Sequence, residues 1–288
     1  MTRETSQITK SAGGSTLTKV GREANLNAIS VQLKTELNIQ VKSFSGLKVA
    51  HIEKLVSSWK DHGLSSRTMQ NKMAHLRVAL REVGREKFAA DARISNQSLG
   101  ISGASRDGSH SSPGRAEIES RMSAMPPGAR AAAGLQLELG LRSREAIQSV
   151  GSLSTWSKEL ARTGMITVIH GTKGGRARVV DLRHPNARTR AVEAVFRAVE
   201  AAKQGDGRLI PSSTLQGAAR AYQRDMAEAG FKGAEASHSL RCQFAQEQYD
   251  RHLQATESRQ EALSRLSLDL GHGDGRGRYC AQVYLLRD

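Results

Sequence analysis

Met165-Ile166-Thr167-Val168-Ile169-His170 and Ala177-Arg178-Val179-Val180-Asp181-Leu182 stand on either side of Gly171-Thr172-Lys173-Gly174-Gly175-Arg176. Both flanks are rich in Val, Ile and Thr, whose branching at Cβ favours extended backbone, and the glycines between them permit a turn. The segment predicts a β-hairpin, and it is the only good strand signal in the sequence. Helical patterns take over on both sides. Downstream they run over about 187–203, 213–229, 238–254, 257–269 and 278–286, with glycines as punctuation. Upstream, Ser112-Pro113 reads as a cap and first helical residue, opening a helix to about Met125. Pro126-Pro127 breaks it and opens another, rich in Ala and Leu, from Gly128 to Leu139. The fold class is mainly α with a small β-hairpin sheet, without internal repeats.

Residues 94–114, ISNQSLGISGASRDGSHSSPG, hold eleven Ser or Gly in twenty-one positions. So little apolar area cannot offset the entropy of ordering, and the stretch reads as a linker. It separates a helical domain over 18–93 from a larger one over 115–288. The polar residues 1–17, with Gly13 and Gly14, read as a disordered tail. In the first domain Leu47, His51, Leu55, Val56 and Trp59 share one stripe, stopped by Gly63. Ser65 or Ser66 then caps a helix whose apolar residues Met69, Met73, Leu76, Leu80 and Val83 recur three and four apart before Gly84. An earlier helix spans roughly Val20 to Leu37. Arg67, Lys72, Arg77 and Arg81 occupy the opposite face of the 66–83 helix, a basic face suited to a DNA groove.

The chain has 288 residues, with 43 Lys plus Arg against 28 Asp plus Glu, a formal charge of +15. Residues 1–100 carry +8, residues 101–200 carry +6 and the remainder +1; the densest block, Gly171 to Arg190, sets six basic residues against Asp181 alone. Neutralising successive phosphates needs such clustering, so nucleic acid is the expected partner, with a solvated basic surface as the plainer alternative. No apolar run reaches the length of a membrane span and the N-terminus lacks a signal-peptide pattern, so neither membrane insertion nor export by that route is expected. Cys242 and Cys280 can form one bridge at most and are expected as free thiols in a reducing interior.

The sequence has no glycine-rich loop ending in Lys-Ser or Lys-Thr, no His-Glu-x-x-His and no zinc-spaced cysteine pair. Its carboxylates do not cluster in a two-metal pattern, so phosphate chemistry here would fall to arginines. Four places stand out. Leu139-Gly140-Leu141-Arg142-Ser143-Arg144-Glu145 puts Arg142 where one helix joins the next. Lys173 sits at the hairpin tip. His238-Ser239-Leu240-Arg241 sets His and Arg on one helical face, and Leu270-Gly271-His272 closes a helix twelve residues before Tyr284. Taken singly, each has a structural explanation: an ion pair of Arg142 with Glu145 or Glu138, a soluble tip, a helix-start histidine held by Ser239, a core tyrosine.

Taken in order, the set resembles the tyrosine recombinase family, the phage-integrase type of DNA strand exchange enzyme. The family pattern is met by Arg142 with Glu145, Lys173, His238 with Arg241, His272 and Tyr284, over residues from about 115 to 286. The N-terminal region looks like the family's helical core-binding domain, particularly Leu64-Ser65-Ser66-Arg67-Thr68 and the helix through Val83. In style the chain is most similar to integrases of integrative and conjugative or other mobile bacterial elements. The resemblance implies a helical core-binding domain followed by a mostly helical catalytic domain with a small sheet.

It also implies transesterification at a DNA phosphodiester without metal, cofactor or ATP. Arg142 and Arg241 would hold the non-bridging oxygens through paired planar donors, and His272 would donate to the same oxygens. Tyr284 would attack to leave a 3′-phosphotyrosyl link, His238 would manage its proton, and Lys173 would protonate the departing 5′-oxygen. Arg67, Lys72, Arg77, Arg176 and Arg178 would contact neighbouring phosphates. Implied partners are double-stranded DNA recombination sites, three further copies in a tetramer, and an accessory or directionality factor, in the cytoplasm of a bacterium. Tyr279 lies seven residues after His272 and remains a second candidate nucleophile, the family's usual gap falling between the two. Four residues after Tyr284 are too few for the helix that many members lend a neighbour, so subunit coupling is expected through the glycine-rich loop or the N-terminal domain. A type IB-like topoisomerase uses the same residue types on one duplex, and a non-catalytic basic DNA-binding protein would use none of them chemically.

Overall fold

The computed structural model describes residues 2–103 and 112–285, apart from the side chains of Thr2, Arg3 and Lys173. They fall into two compact units, Met1–Ser105 and Arg106–Asp288.

The first unit is helical: α1 (Thr2–Ser11), α2 (Thr16–Thr35), α3 (Val49–Asp61), α4 (Ser66–Glu82) and the short α5 (Glu86–Ala89). Ser15 and Ser65 cap α2 and α4, their hydroxyls accepting from Thr18 N and Thr68 N at 3.2 Å each. The apolar stripes meet in a core of Leu26, Ile29, Leu33, Leu55, Trp59, Met73, Leu76 and Leu80. Each such side chain contributes about 1.5–3 kcal/mol by leaving water. Trp59 Nε1 finds its buried partner in Gln32 Oε1 at 2.8 Å.

Two boundaries differ from the sequence reading. The expected tail contains α1, held by buried Ile8, by Thr5 on Asn27 at 2.6 Å and by Ser43 on the Glu4 carboxylate at 2.6 Å. Arg22 closes its C-terminal end by donating to Gly13 O at 3.1 Å and Thr9 O at 3.4 Å. A helix docked mainly by polar contacts leaves almost no apolar periodicity to read. The expected linker also begins too early. Ile94, Leu99 and Ile101 are buried, and Lys60, Gln70 and Arg77 donate to the carbonyls of Leu99, Ile101 and Ile94 at 2.7–2.9 Å. Three well-spaced apolar residues anchor a segment whose average composition suggests none. The part of the expected linker at 104–111 lies outside the described residues.

The second unit comprises α6 (Arg115–Ser123), α7 (Pro127–Leu139), α8 (Ser143–Ile147), α9 (Val150–Arg162), β1 (Met165–Val168), β2 (Arg178–Asp181), α10 (Pro185–Gln204), α11 (Leu215–Glu228), α12 (His238–Thr256), α13 (Arg259–Asp269) and α14 (Gly277–Tyr284). α9 escaped the sequence reading, although its buried Leu153, Trp156 and Leu160 are three and four residues apart. α7, rich in Ala and Leu, runs through the core against α10 and α12. β1 and β2 pair antiparallel, with Met165 opposite Asp181 and Val168 opposite Arg178. The strands are shorter than the β-branched runs: Ile169 lies beyond the last pair and is 52% exposed. The outer edge of β1 is covered by α9: Trp156 Nε1 donates to Thr167 O at 2.8 Å and Thr167 N donates to Glu159 at 3.0 Å. Cys242 and Cys280 are buried and free, and burial pushes the Cys242 thiol up to about 12. Among the described residues no helix is long and apolar enough to cross a membrane.

Candidate active site

Four local devices carry the polar side chains. α7 ends at Gly140, which takes a left-handed φ of +62°; a Cβ there would lie 2.5 Å from the Phe244 ring. The turn delivers Arg142 to the start of α8, where its backbone N donates to Glu145 Oε2 at 2.7 Å. His238 is the first residue of α12, with Ser237 before it 3.0 Å from Ser143 through their hydroxyls, and Arg241 lies one turn further in. α13 ends in Leu270-Gly271, Gly271 at φ +67°, and His272 N closes the turn on Ser267 O at 2.9 Å. Tyr284 is the last residue of α14, its carbonyl accepting from Gln246 at 3.4 Å.

These side chains converge. The Tyr284 hydroxyl is 3.0 Å from His272 Nε2 and accepts from Arg241 Nε at 3.5 Å. The Tyr284 ring lies 5.4 Å from the His238 ring and 5.6 Å from the His272 ring, with the Arg241 guanidinium 5.6 Å away. Arg241, wholly buried, also donates to Gly140 O and Leu270 O. Arg142 donates to Leu270 O at 3.3 Å and to Glu145 Oε1 at 2.7 Å. Burial pushes the Arg241 guanidinium down to about 10, which leaves it charged at neutral pH. Tyr279 faces His272 with ring centroids 5.0 Å apart. Lys173 lies in the 3₁₀ turn Lys173–Gly175 between the strands; its side chain lies outside the described residues.

Of the five expected phosphate contacts, Arg67 and Arg176 are exposed. Arg77 turns inward to Ile94 O at 2.7 Å and Asn96 Oδ1 at 2.9 Å, and Lys72 lies half-buried over the Trp59 ring at 5.3 Å. Arg178 is buried and donates to both Glu145 oxygens at 2.7 Å. Strand alternation explains this: Arg178 shares its face of β2 with core residue Val180. Elsewhere in the dense basic block, Arg183 pairs with Asp181 while staying exposed, and the half-buried Arg190 pairs with Glu138 and Glu247.

Two pairings escaped the sequence reading, Glu145 with Arg178 and Asp269 with His252. Burial would raise the Glu145 carboxyl, but Arg178 and Arg142 outweigh it and hold it below the usual carboxylate range. Asp269 accepts from Asp181 N at 2.9 Å and Gln248 Nε2 at 2.9 Å and lies 2.7 Å from His252 Nε2, pinning the end of α13 just ahead of His272. Nothing in the linear spacing of α12 and α13 signals that pair.

Gly171, at φ +70°, brings the hairpin against α8: a Cβ there would stand 2.8 Å from Arg144 O and from Gln148 Nε2. Gly171→Ala is expected to push the hairpin off α8, raising amide hydrogen exchange across residues 169–177 about tenfold with little change in melting temperature, because the loop yields before the core does.

Residues 100–247 match the integrase family, and residues 1–89 match the N-terminal region of phage integrases. The chain belongs to the integrase family of tyrosine recombinases. It is by that membership a site-specific DNA recombinase. The integrase fold is similar to that of the Tn1549 transposon integrase in complex with transposon right end DNA, at a TM-score of 0.62 and 16% identity over 99% of this chain and 95% of that one. The same transposon integrase in complex with circular intermediate DNA gives a TM-score of 0.58 at 16% identity, over 99% and 96%. A lambda integrase dimer bound to a COC′ core site gives 0.54 at 20% identity, over 93% and 92%. No curated protein matches the integrase sequence.

Proposed function

We propose that the integrase cleaves and rejoins double-stranded DNA through Tyr284, using Arg142, Arg241 and His272 to bind the phosphate under attack. The observation that carries this reading is the Tyr284 hydroxyl within reach of both His272 and a buried guanidinium. A phenol is a weak nucleophile at neutral pH, and fixed positive charge beside it favours the oxygen that attacks. The Tyr284 oxygen forms a bond to phosphorus as the bond to the 5′-oxygen breaks. His238, whose ring faces Tyr284, accepts the phenol proton, and Lys173 supplies one to the departing 5′-oxygen. As phosphorus passes through five-coordination, charge gathers on the non-bridging oxygens. Arg142 and Arg241 meet it in a site closed enough that each donor contributes about 3 kcal/mol. The 3′-phosphotyrosyl link keeps the phosphodiester energy, so a partner 5′-hydroxyl reverses the step without ATP.

The exposed Arg67 and Arg176 contact flanking phosphates, and the helical N-terminal unit serves as the core-binding domain. DNA is the partner this reading requires, with four copies joining two duplexes.

The test is incubation with a duplex nicked near the crossover site, whose short 5′ fragment diffuses away and traps the link. A protein–DNA adduct resistant to denaturant is expected on a cognate site, and its absence there overturns the reading. Relaxation of supercoiled plasmid carrying no such site, by monomeric protein, would favour the topoisomerase alternative instead.

A further inference from the structure

We propose that Arg178 is a positioning residue for strand cleavage: a buried strut from the hairpin that fixes Arg142 and the Leu270-Gly271-His272 turn in register. The inference rests on the transesterification reading above and concerns a residue that touches neither DNA nor Tyr284.

The geometry is a closed arrangement of three guanidiniums and three acceptors. Glu145 accepts from Arg142 and Arg178, all at 2.7 Å. Gly140 O accepts from Arg241 and from Arg178, the latter at 3.4 Å. Leu270 O accepts from Arg241 and from Arg142, the latter at 3.3 Å. Each acceptor is shared by two arginines, so displacing any one of the three takes a donor from two buried acceptors at once and shifts their load to the other two. Arg178 adds a further link through Nε to Asp269 O at 2.9 Å, one residue before Leu270. Its stem passes so close to the turn that a Cβ on Gly271 would stand 2.6 Å from Arg178 Cδ. One side chain from β2 thus braces both the box that carries Arg142 and the box that carries His272.

The charge count points the same way. Glu145 has no exposed side-chain surface, and Arg142 alone would have to balance it if Arg178 were lost. Arg142 would then be drawn into the carboxylate rather than held ready for a phosphate. A guanidinium suits the task and an ammonium does not, because the donors must reach two carboxylate oxygens and two carbonyls in one plane. With 5% of its side chain exposed, Arg178 has no surface left to offer a DNA phosphate.

The experiment compares Arg178→Gln and Arg178→Lys on the nicked duplex, at saturating protein in single turnover. Binding and its salt dependence are measured separately with the same changes in a Tyr284→Phe background. Arg178→Gln is expected to slow adduct formation about 30-fold or more while the affinity and salt slope stay within about twofold. Arg178→Lys, which keeps the charge but not the fork, recovers part of that loss. An Arg178→Gln protein with wild-type saturating rate and a salt slope lower by about one would make Arg178 a phosphate contact and overturn the proposal. If Arg178→Gln does not fold, Glu145→Gln with Arg178→Met removes both buried charges together, and the same rate loss is expected. A wild-type rate in that double variant overturns the proposal equally. A wild type that forms no adduct fells the transesterification reading, whereas a normal adduct in both wild type and variant fells this inference alone.

Discussion

Tyr284→Phe is expected to abolish the covalent adduct while leaving DNA binding intact, and Tyr279→Phe is expected to keep it. The two tyrosines sit on one short helix and both rings approach His272, so ring proximity does not separate them. The hydroxyls do. Tyr284 Oη lies 3.0 Å from His272 Nε2 and takes a hydrogen bond from buried Arg241, whereas Tyr279 contributes a ring face to the same imidazole. Removing a nucleophilic oxygen leaves nothing to bond to phosphorus, and the single-turnover rate should fall on the order of 10⁴-fold or more, down to background. Phe at 279 keeps the ring that supports His272, and its rate should stay within about threefold of wild type. Quantifying adduct on the nicked duplex, beside gel-shift affinity, checks both. Loss of adduct in Tyr279→Phe with retention in Tyr284→Phe would transfer the nucleophile to Tyr279, and the Tyr284 hydroxyl would become a partner of His272 only.

Much of this site was open to reading from the chain itself because its parts are local devices. A glycine that ends α7, a histidine and arginine one turn apart, and a glycine that ends α13 are all short-range signals, and each delivers its polar residue to the same end of the unit. Hydrophobic periodicity likewise revealed α10 to α14. What escaped depends on partners distant in sequence. Arg178 reads as surface charge until β2 is known to bury alternate residues, and Glu145 holds it across 33 positions. His252 meets Asp269 across 17 residues and a helix turn, with no spacing rule to flag it. α1 was missed because Thr, Ser and Glu side chains, not an apolar stripe, hold it down. Net charge pointed to nucleic acid but not to the residues free to meet it. Counting basic residues over 171–190 gave a phosphate-binding block, yet Arg178, Arg183 and Arg190 spend their charge on acids of the integrase itself.

On the proposed reading Arg241 serves both stability and chemistry, and two substitutions separate them. Arg241→Lys keeps a positive charge but supplies one nitrogen where the native residue uses three, toward Gly140 O, Leu270 O and the Tyr284 hydroxyl. Lysine cannot serve the two carbonyls and also face a phosphate, so adduct formation should slow about 10²- to 10³-fold, the usual effect of losing a preorganised donor to developing charge. Arg241→Met takes away the charge as well and leaves the two buried carbonyls only the longer bonds from Arg178, at 3.4 Å, and Arg142, at 3.3 Å, each under-satisfied acceptor costing up to about 1–3 kcal/mol. That protein should melt well below wild type, whereas Arg241→Lys should lose much less stability than rate. Thermal melts and single-turnover cleavage on the same preparations give the comparison. If the rate of Arg241→Lys falls only in proportion to its melting temperature, and is restored by assaying well below the melt, then Arg241 serves as a structural tie between α7, α12 and α13. The charge facing the phosphate would then come from Arg142 and His272 alone.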